Sequence, residues 1–511
     1  MRVLTVENTR KLETLANETG ISYLQLMENA GSYCARIIRK TFDNTTKHNV
    51  LVVCGKGRNG GDGFVIARKL FENGYNVTVM MAMGLPTDEL SSEMFSRVRA
   101  LEIPVIYYDG TSLTEKHFEN ANIIVDCVFG IGFHGEPNDV CTSLFSKINS
   151  SPATTVSIDV PSGLNGDSNK INNNSVRADI TIAVLSLKPV HVLKPASERC
   201  GKIVLAPINI PEKCFSQVSS SFFTVNNEGI KAFFKKRDSQ SHKGTFGTVL
   251  VIGGSYEIPN AVCFASQSAV NSGVGLVKVL FPAVAYSAIA PKTYEQILVP
   301  VESNKSGRIS QSSTKRIDKE LKKCSCVVLG CGMGVDEDTK AITEYVIQNS
   351  EIPVIIDADG INCLKDNIDI LNNAKAPVIL TPHPKEFSRI VGISVEEILE
   401  NPRQVVKDFV DSYNCVLVLK GASTLVSSKE FDDVYVNITG NPGMAIGGTG
   451  DVLAGMIASF VAQGVGAFKS AIAGVNIHGL TGDAVTEKYS MMGNTPSLML
   501  NELPTVLKKF E

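Results

Sequence analysis

NVLVVCGKGRNGGDGFVIARKLFENG (residues 49–74) decides the fold. Its first seven residues form a β-branched run that closes on glycine, and residues 61–74 carry a helical pattern. Strand, glycine-rich turn and helix in that order open a doubly wound α/β sheet. The same alternation continues outward through NVTVMMAMG (76–84), VIYYDG (105–110), NIIVDCVFG (122–130), TTVSIDVPSG (154–163) and DITIAVLS (179–186). Strands this uniformly apolar belong to a parallel sheet covered on both faces. Gly55, Gly57 and Gly60 satisfy G-x-G-x-x-G, yet the next strand ends MMAMG, without the acidic residue that would hold a ribose. An ordinary NAD dehydrogenase is therefore disfavoured.

Around residues 207–245 the pattern loosens into PINIPEKCFSQVSSS and FFKKRDSQSHKGTFG, and the domain boundary is placed at 217/218. Beyond it, GTVLVIGGS (247–255), GLVKVLFP (275–282), SCVVLGCGMG (325–334), PVIIDADG (353–360), PVILTPHPKE (377–386) and CVLVLKGAS (415–423) predict a second α/β domain over 218–511. No motif repeats between the halves. The apolar stretch Val452 to Phe468 reads as one buried helix, too short to span a membrane.

With 511 residues the chain needs more than one domain. Lys+Arg 49 against Asp+Glu 52 gives a formal charge of −3, which offers no field for nucleic acid. Twelve cysteines in apolar contexts, without C-x-x-C pairs, suit reduced thiols in the cytoplasm. The group Cys324, Cys326 and Cys331 in CSCVVLGC reads as a buried strand and not as a metal site. Charges throughout MRVLTVENTRKLETLANETG leave no apolar core for a signal peptide.

Polar groups at strand ends are the candidates for chemistry, because that is where an open α/β sheet forms its crevice. In the first half these are Asn59, Asp126, Asp159 and Ser162. Their hard oxygens suit a hard cation, and a spare carboxylate can move a proton; the plain alternative is turn capping by each aspartate. In the second half, NPGMAIGGTGD (441–451) sets Gly447, Gly448, Thr449 and Gly450 before an apolar helix, where backbone N–H groups can cradle an anion. Asp451 follows them as a general base for a phosphoryl acceptor, or as a helix N-cap. His383, fixed between two prolines, reads first as structural. Lys420 could meet phosphates or simply be solvated. The carboxylates of DADG (357–360) are spaced for one strand face, where they could support Mg2+ or cap a turn.

GKGRNGGDG (55–63), VDCVFGIGFHGE (125–136), IDVPSGLNGD (158–167) and LMENAG (26–31) resemble the signature blocks of the NAD(P)HX epimerase family, the YjeF-type N-terminal domain, over residues 1–214. The resemblance implies a Rossmann-like domain in which Asn59, Asp126 and Ser162 hold potassium. It also implies that the damaged nucleotide lies against Arg58, Asn59, Gly60, Gly61 and Asp62, then Gly130, Ile131, Gly132, Phe133, His134, Gly135 and Glu136, with Asp159 catalytic. Arg58 departs from the Asn frequent in the family. HKGTFGTVLVIGGS, GCGMG, DADGINCL, LTPHPKEF, LKGAST and GNPGMAIGGTGD resemble, in that order, the ribokinase-like NAD(P)HX dehydratases. This second resemblance implies substrate contacts at Ala261, Gly332, Gly334, His383 and the base Asp451. Nucleotide contacts are implied at Lys420, Gly421, Ala422, Ser423, Thr424, Asn441, Gly447, Gly448, Thr449 and Gly450.

Together the resemblances imply repair of hydrated NADH and NADPH: epimerisation of the R and S forms, then dehydration of the S form. By resemblance alone, the prokaryote-style fusion of the two domains favours ADP over ATP, and the family implies a homo-oligomer, a tetramer. The competing reading is a small-alcohol kinase of the same fold, carrying the first domain as a non-catalytic nucleotide- or protein-binding module.

Overall fold

Seven β-branched runs between Asn49 and Ala206 become the strands of one sheet, because each can bury both faces only if helices cover it above and below. From edge to edge the order is Val105–Tyr107, Asn76–Met81, Asn49–Cys54, Ile123–Cys127, Thr154–Ile158, Ile180–Val184 and Lys202–Ala206, all parallel. The computed structural model describes residues 1–42 and 48–511. These divide into two compact units, Met1–Phe223 and Thr224–Glu511. Residues 218–223 stay with the first, whose Phe222–Phe223 pairs antiparallel with Arg2–Val3.

Asn49–Cys54 is central in the first sheet. The chain leaves it to one side through Asn76–Met81 and later returns to its other side with Ile123–Cys127. The crevice at that reversal is where ligands of such sheets bind. The glycine-rich turn lies there, and its glycines have a packing reason as well. A Cβ at Gly55 would sit 2.0 Å from the Val128 carbonyl oxygen, and one at Gly60 2.0 Å from that of Gly55. The helix Arg58–Phe71 then lays Phe64, Val65, Ile66, Ala67 and Leu70, all fully buried, on the core. Each such large aliphatic or aromatic side chain contributes about 1.5–3 kcal/mol.

In the second unit the order is Val434–Val436, Leu425–Ser428, Cys415–Leu419, Val378–Leu380, Val354–Ile356, Cys326–Leu329, Thr248–Ile252, Leu276–Pro282 and Ile297–Val301. Seven strands are parallel, and an antiparallel meander through Leu425–Ser428 and Val434–Val436 finishes one side. The apolar stretch 452–468 is not one helix. Thr449–Ala462 ends at Gln463, Gly464 takes φ +87°, and Gly466 starts a new helix, Ala467–Lys488. A left-handed glycine satisfies the closing turn of a helix, so the apolar run bends back instead of continuing.

All twelve cysteines are unpaired, and eleven of them are buried. Among the described residues no helix is long and apolar enough to cross a membrane.

Candidate active sites

Asp126 lies inside the strand Ile123–Cys127 with no exposed surface. Its Oδ1 accepts from the Ser162 hydroxyl (2.5 Å) and the Val128 N–H (3.3 Å), and its Oδ2 from the Ser157 hydroxyl (2.8 Å) and the Ser162 N–H (2.9 Å). Burial still pushes its carboxyl above the usual range, against the pull of these bonds. Asn59 donates from Nδ2 to the carbonyls of Phe129 (2.9 Å) and Ile158 (3.3 Å), so its Oδ1 remains open. The structure thus brings Asn59, Asp126 and Ser162 to one place with two backbone carbonyls. No cationic side chain pairs with Asp126 among the described residues. A buried carboxylate among hard oxygens fits a hard cation such as potassium.

Beside this cluster, a cavity of about 630 Å³ is lined by Arg58, Asn59, Asp62, Gly130, Ile131, Gly132, Phe133, His134 and Asp159. Four other expected contacts lie off it. Gly60 and Gly61 face the packed side of their helix, against Gly55 and Met27. Gly135 takes φ +82° in the loop, and Glu136 accepts a bond from Asn172 (2.8 Å). Arg58 stacks its guanidinium over Tyr23, 5.3 Å from the ring centre.

Asp159 follows the strand Thr154–Ile158 with φ +67°, a left-handed backbone uncommon outside glycine. The Lys188 ammonium, 1% exposed, donates to its Oδ1 at 2.5 Å and to the Val184 carbonyl at 2.7 Å. Two further carboxyls line the same cavity, Glu13 and Asp62. Burial, and then the charge of Asp159, push Glu13 up and Asp62 well up, which favours the protonated form. Glu13 and Lys188 escaped sequence reading. Lys188 left a signal, a lone charge in the apolar run AVLSLKPVHVL. Glu13 left none, because it sits in an ordinary charged helix, Val6–Glu18.

In the second unit the strands Cys326–Leu329, Val354–Ile356, Val378–Leu380 and Cys415–Leu419 end side by side, delivering Gly330, Asp357, Thr381 and Lys420. Lys420 pairs with the buried Asp357 (2.7 Å), whose Oδ1 also accepts from the Thr381 hydroxyl (2.7 Å). Gly448, at φ +96°, is the N-cap of the helix Thr449–Ala462. Asp451 is therefore in the first turn and is not the cap. The backbone N–H groups of Thr449, Gly450 and Asp451 open the helix and lack an intrahelical acceptor. A Cβ at Gly450 would lie 3.2 Å from Lys420 Nζ and 3.6 Å from Asp357 Oδ2, while Gly447 has open space around it. Burial first, then Asp357, raise Asp451 to about 7, with Lys420 and a bond from Cys331 pulling the other way.

DADG does not present two carboxylates on one strand face. The strand stops at Ile356, Ala358 turns at φ +50°, and Asp359 swings away to accept the Gly334 N–H (2.8 Å). Cys331, expected as plain core, is fully buried but joins Asp357 and Asp451, with ligand atoms within 4.8 Å of one another. The Lys420 ammonium already supplies positive charge to that group.

His383 caps the helix Pro384–Val391, its Nδ1 accepting from the N–H groups of Lys385 (3.1 Å) and Glu386 (3.3 Å). That arrangement leaves Nε2 to carry the proton. Burial and the nearby Lys420 lower its pKa. Gly332, at φ +63°, is packed where a Cβ would meet that of Ala261 at 2.9 Å. Gly421, Ala422, Ser423 and Thr424 form a turn closed by the Thr424 hydroxyl on the Gly421 carbonyl (3.1 Å). Asn441 is tied to Asp483 (2.8 Å) and Thr486 (3.0 Å), bracing the start of the glycine loop.

Residues 249–505 match the family described as NAD(P)H-hydrate dehydratase, and residues 23–190 that described as YjeF-related protein N-terminus. The chain is 30% identical over 529 residues to the bifunctional NAD(P)H-hydrate repair enzyme Nnr of Moorella thermoacetica, covering 100% of this chain and 97% of the relative. It is 33% identical over 488 residues to the Coxiella burnetii enzyme of the same name, covering 95% of each. Among solved structures, a ribokinase-like superfamily protein from Enterococcus faecalis V583 is similar with a TM-score of 0.50 and 25% identity, over 57% of this chain and 96% of that one.

Proposed function

The chain belongs to the family of bifunctional NAD(P)H-hydrate repair enzymes, and on that premise we propose that its first unit interconverts the R and S hydrates of NADH and NADPH while its second dehydrates the S form at the expense of ADP. The observation that carries the reading is Asp451, poised at about 7 directly behind the unpaired N–H groups of the glycine loop.

In the second unit those N–H groups would receive the phosphoryl oxygens of the nucleotide. Asp451 accepts the proton of the C6 hydroxyl as that oxygen attacks the terminal phosphorus, releasing AMP. Phosphate then leaves C6, pushed by the ring nitrogen, and loss of the C5 proton restores the reduced nicotinamide. Lys420, neutralising Asp357, stands where Mg2+ or the phosphates would approach.

In the first unit the substrate carbon bears both the hydroxyl and the ring nitrogen. Protonated Asp62 or Glu13 can donate to the departing hydroxyl, and Asp159, paired with Lys188, can take a proton from water returning to the opposite face. A potassium ion held by Asn59, Asp126 and Ser162 would add a fixed positive charge beside an anionic ligand. A cytoplasmic location suits the reduced thiols, and a homotetramer is the assembly we assign to the chain.

The test follows absorbance of the reduced nicotinamide with an R/S mixture of hydrated NADH. ADP, ATP or no nucleotide is supplied, with potassium or with sodium. Full conversion in one phase with ADP and potassium is expected. No recovery with either nucleotide would overturn the dehydratase. A slow second phase under potassium would overturn the epimerase.

A further inference from the structure

His191 is fully enclosed, 2% exposed, and belongs to the short helix Pro189–Val192 beyond Lys188. Its two ring nitrogens do different work. Nδ1 accepts the backbone N–H of Lys188 (3.0 Å), and Nε2 meets the carbonyl oxygen of Asp159 (2.8 Å). A carbonyl can only accept, so Nε2 carries the proton and the imidazole is neutral. Burial agrees with that assignment, because it lowers the pKa of this histidine to about 4.

These bonds close a ring. From the Asp159 carbonyl it runs through the imidazole to the Lys188 backbone, along the lysine side chain, and back to the Asp159 carboxylate. Asp159 is gripped at every polar atom but one: its N–H donates to the Ile182 carbonyl (2.8 Å), its carbonyl takes His191, and its Oδ1 takes Lys188 and the Val184 N–H (3.4 Å). Only Oδ2 is left for chemistry. A left-handed aspartate persists where its surroundings hold it, and its backbone is what aims its carboxylate.

We propose that His191 is a positioning residue of the first site, a neutral splint that fixes the left-handed Asp159 and the Lys188 ammonium against each other so that one carboxylate oxygen faces the cavity. The inference rests on the epimerase reading above. His191 touches no cavity surface, so its loss should leave ligand affinity alone and lower turnover. A shift of about 1 Å in a reacting group costs on the order of 100-fold.

Two substitutions separate its two bonds. His191→Gln places an amide N–H near the position of Nε2 and can still reach the Asp159 carbonyl. His191→Asn places a carbonyl near Nδ1 and can reach only the Lys188 N–H. In the full chain, epimerisation of the R hydrate with excess dehydratase turnover should show kcat within about threefold of wild type for His191→Gln. It should show a fall of about 10- to 100-fold for His191→Asn, with KM unchanged in both. Equal rates in the two variants, or a change confined to KM, would overturn the proposal. Absence of epimerisation in wild type would instead strike the function reading itself. Should His191→Asn lack a folding transition, 15N NMR of the wild-type histidines decides: a ring proton on Nε2 of His191 supports the splint, and one on Nδ1 overturns it.

Discussion

Each unit places one lysine among several carboxyls, and the two units spend that charge differently. In the first, Lys188 goes to Asp159, and the two other carboxyls lining the same cavity, Glu13 and Asp62, are driven toward protonation. In the second, Lys420 goes to Asp357, and it is Asp451, left without an ion pair, that rises to about 7. A lysine–aspartate pair thus stands beside two carboxyls driven upward in one place, and beside a single aspartate raised to about 7 in the other. Environment, not residue type, assigns the roles.

The comparison can be broken most decisively at Asp451. Asp451→Asn should lose roughly 100- to 10,000-fold in dehydration rate while still binding ADP, since the amide cannot take the hydroxyl proton. Isothermal titration together with single-turnover rates would check both halves, and near-normal turnover would remove Asp451 from the base role. A smaller but structural effect is expected at Lys188. Lys188→Met strands Asp159 in a site where the pair is almost fully enclosed, and should cost about 3–5 kcal/mol in urea unfolding of the full chain. A loss under about 1 kcal/mol would mean that water reaches Asp159 freely and the pair behaves as a surface one.

His478 offers a third probe, because its Nε2 bonds the Thr449 carbonyl (2.9 Å) under the glycine loop and burial lowers its pKa from 6.5 to about 4. The folded value is the lower one, so the unfolded chain takes up the proton first as pH falls. The neutral histidine's contribution is complete above pH 6.5 and is lost on the way down to 4. Compared with His478→Gln, which cancels the carboxyls common to both proteins, wild type should lose roughly 3 kcal/mol over that interval. A gap independent of pH would show that the ring is wetted.

The gentlest test sharpens the comparison instead. In wild type, kcat/KM of the dehydratase should fall about tenfold per pH unit below about 7, as Asp451 gains its proton. In Lys420→Met the residual activity should show that limb at higher pH, because the ammonium that pulls Asp451 down is gone. A limb that stays in place would show that Asp357 has absorbed all of the lysine's influence.

Much of this is legible in the sequence. Long apolar runs ending in Gly or Asp announced the central strands, and strand-end position pointed to Asp126 and Asp159. The strands that escaped are peripheral or short. Lys202–Ala206 and Ile297–Val301 are edges, the second carrying Pro300, which an edge tolerates. Leu425–Ser428 and Val434–Val436 have only four and three residues. The helix division at Gln463 to Gly466 was signalled by two glycines and lost to the apolar run around them. Lys188, His191 and Glu13 were out of reach for another reason. Their importance comes from meeting Asp159 across the fold: the lone charge in its apolar run marks Lys188 as unusual, but nothing in the local sequence names Asp159 as the partner.

The enclosed thiols turn each unit into its own reporter. Cys34, Cys54, Cys127, Cys141, Cys200 and Cys214 belong to the first unit, and the other six to the second. Burial raises the thiols of Cys54, Cys127, Cys326 and Cys331, so a thiolate-seeking alkylating agent finds almost nothing in the closed protein. Only Cys324, partly buried and raised to about 11, offers a slow foothold. Every faster modification must then wait for a unit to open. Mass spectrometry of a short labelling pulse would therefore count openings domain by domain, and ligand added to one site would show whether its own six sulfurs, or all twelve, fall silent.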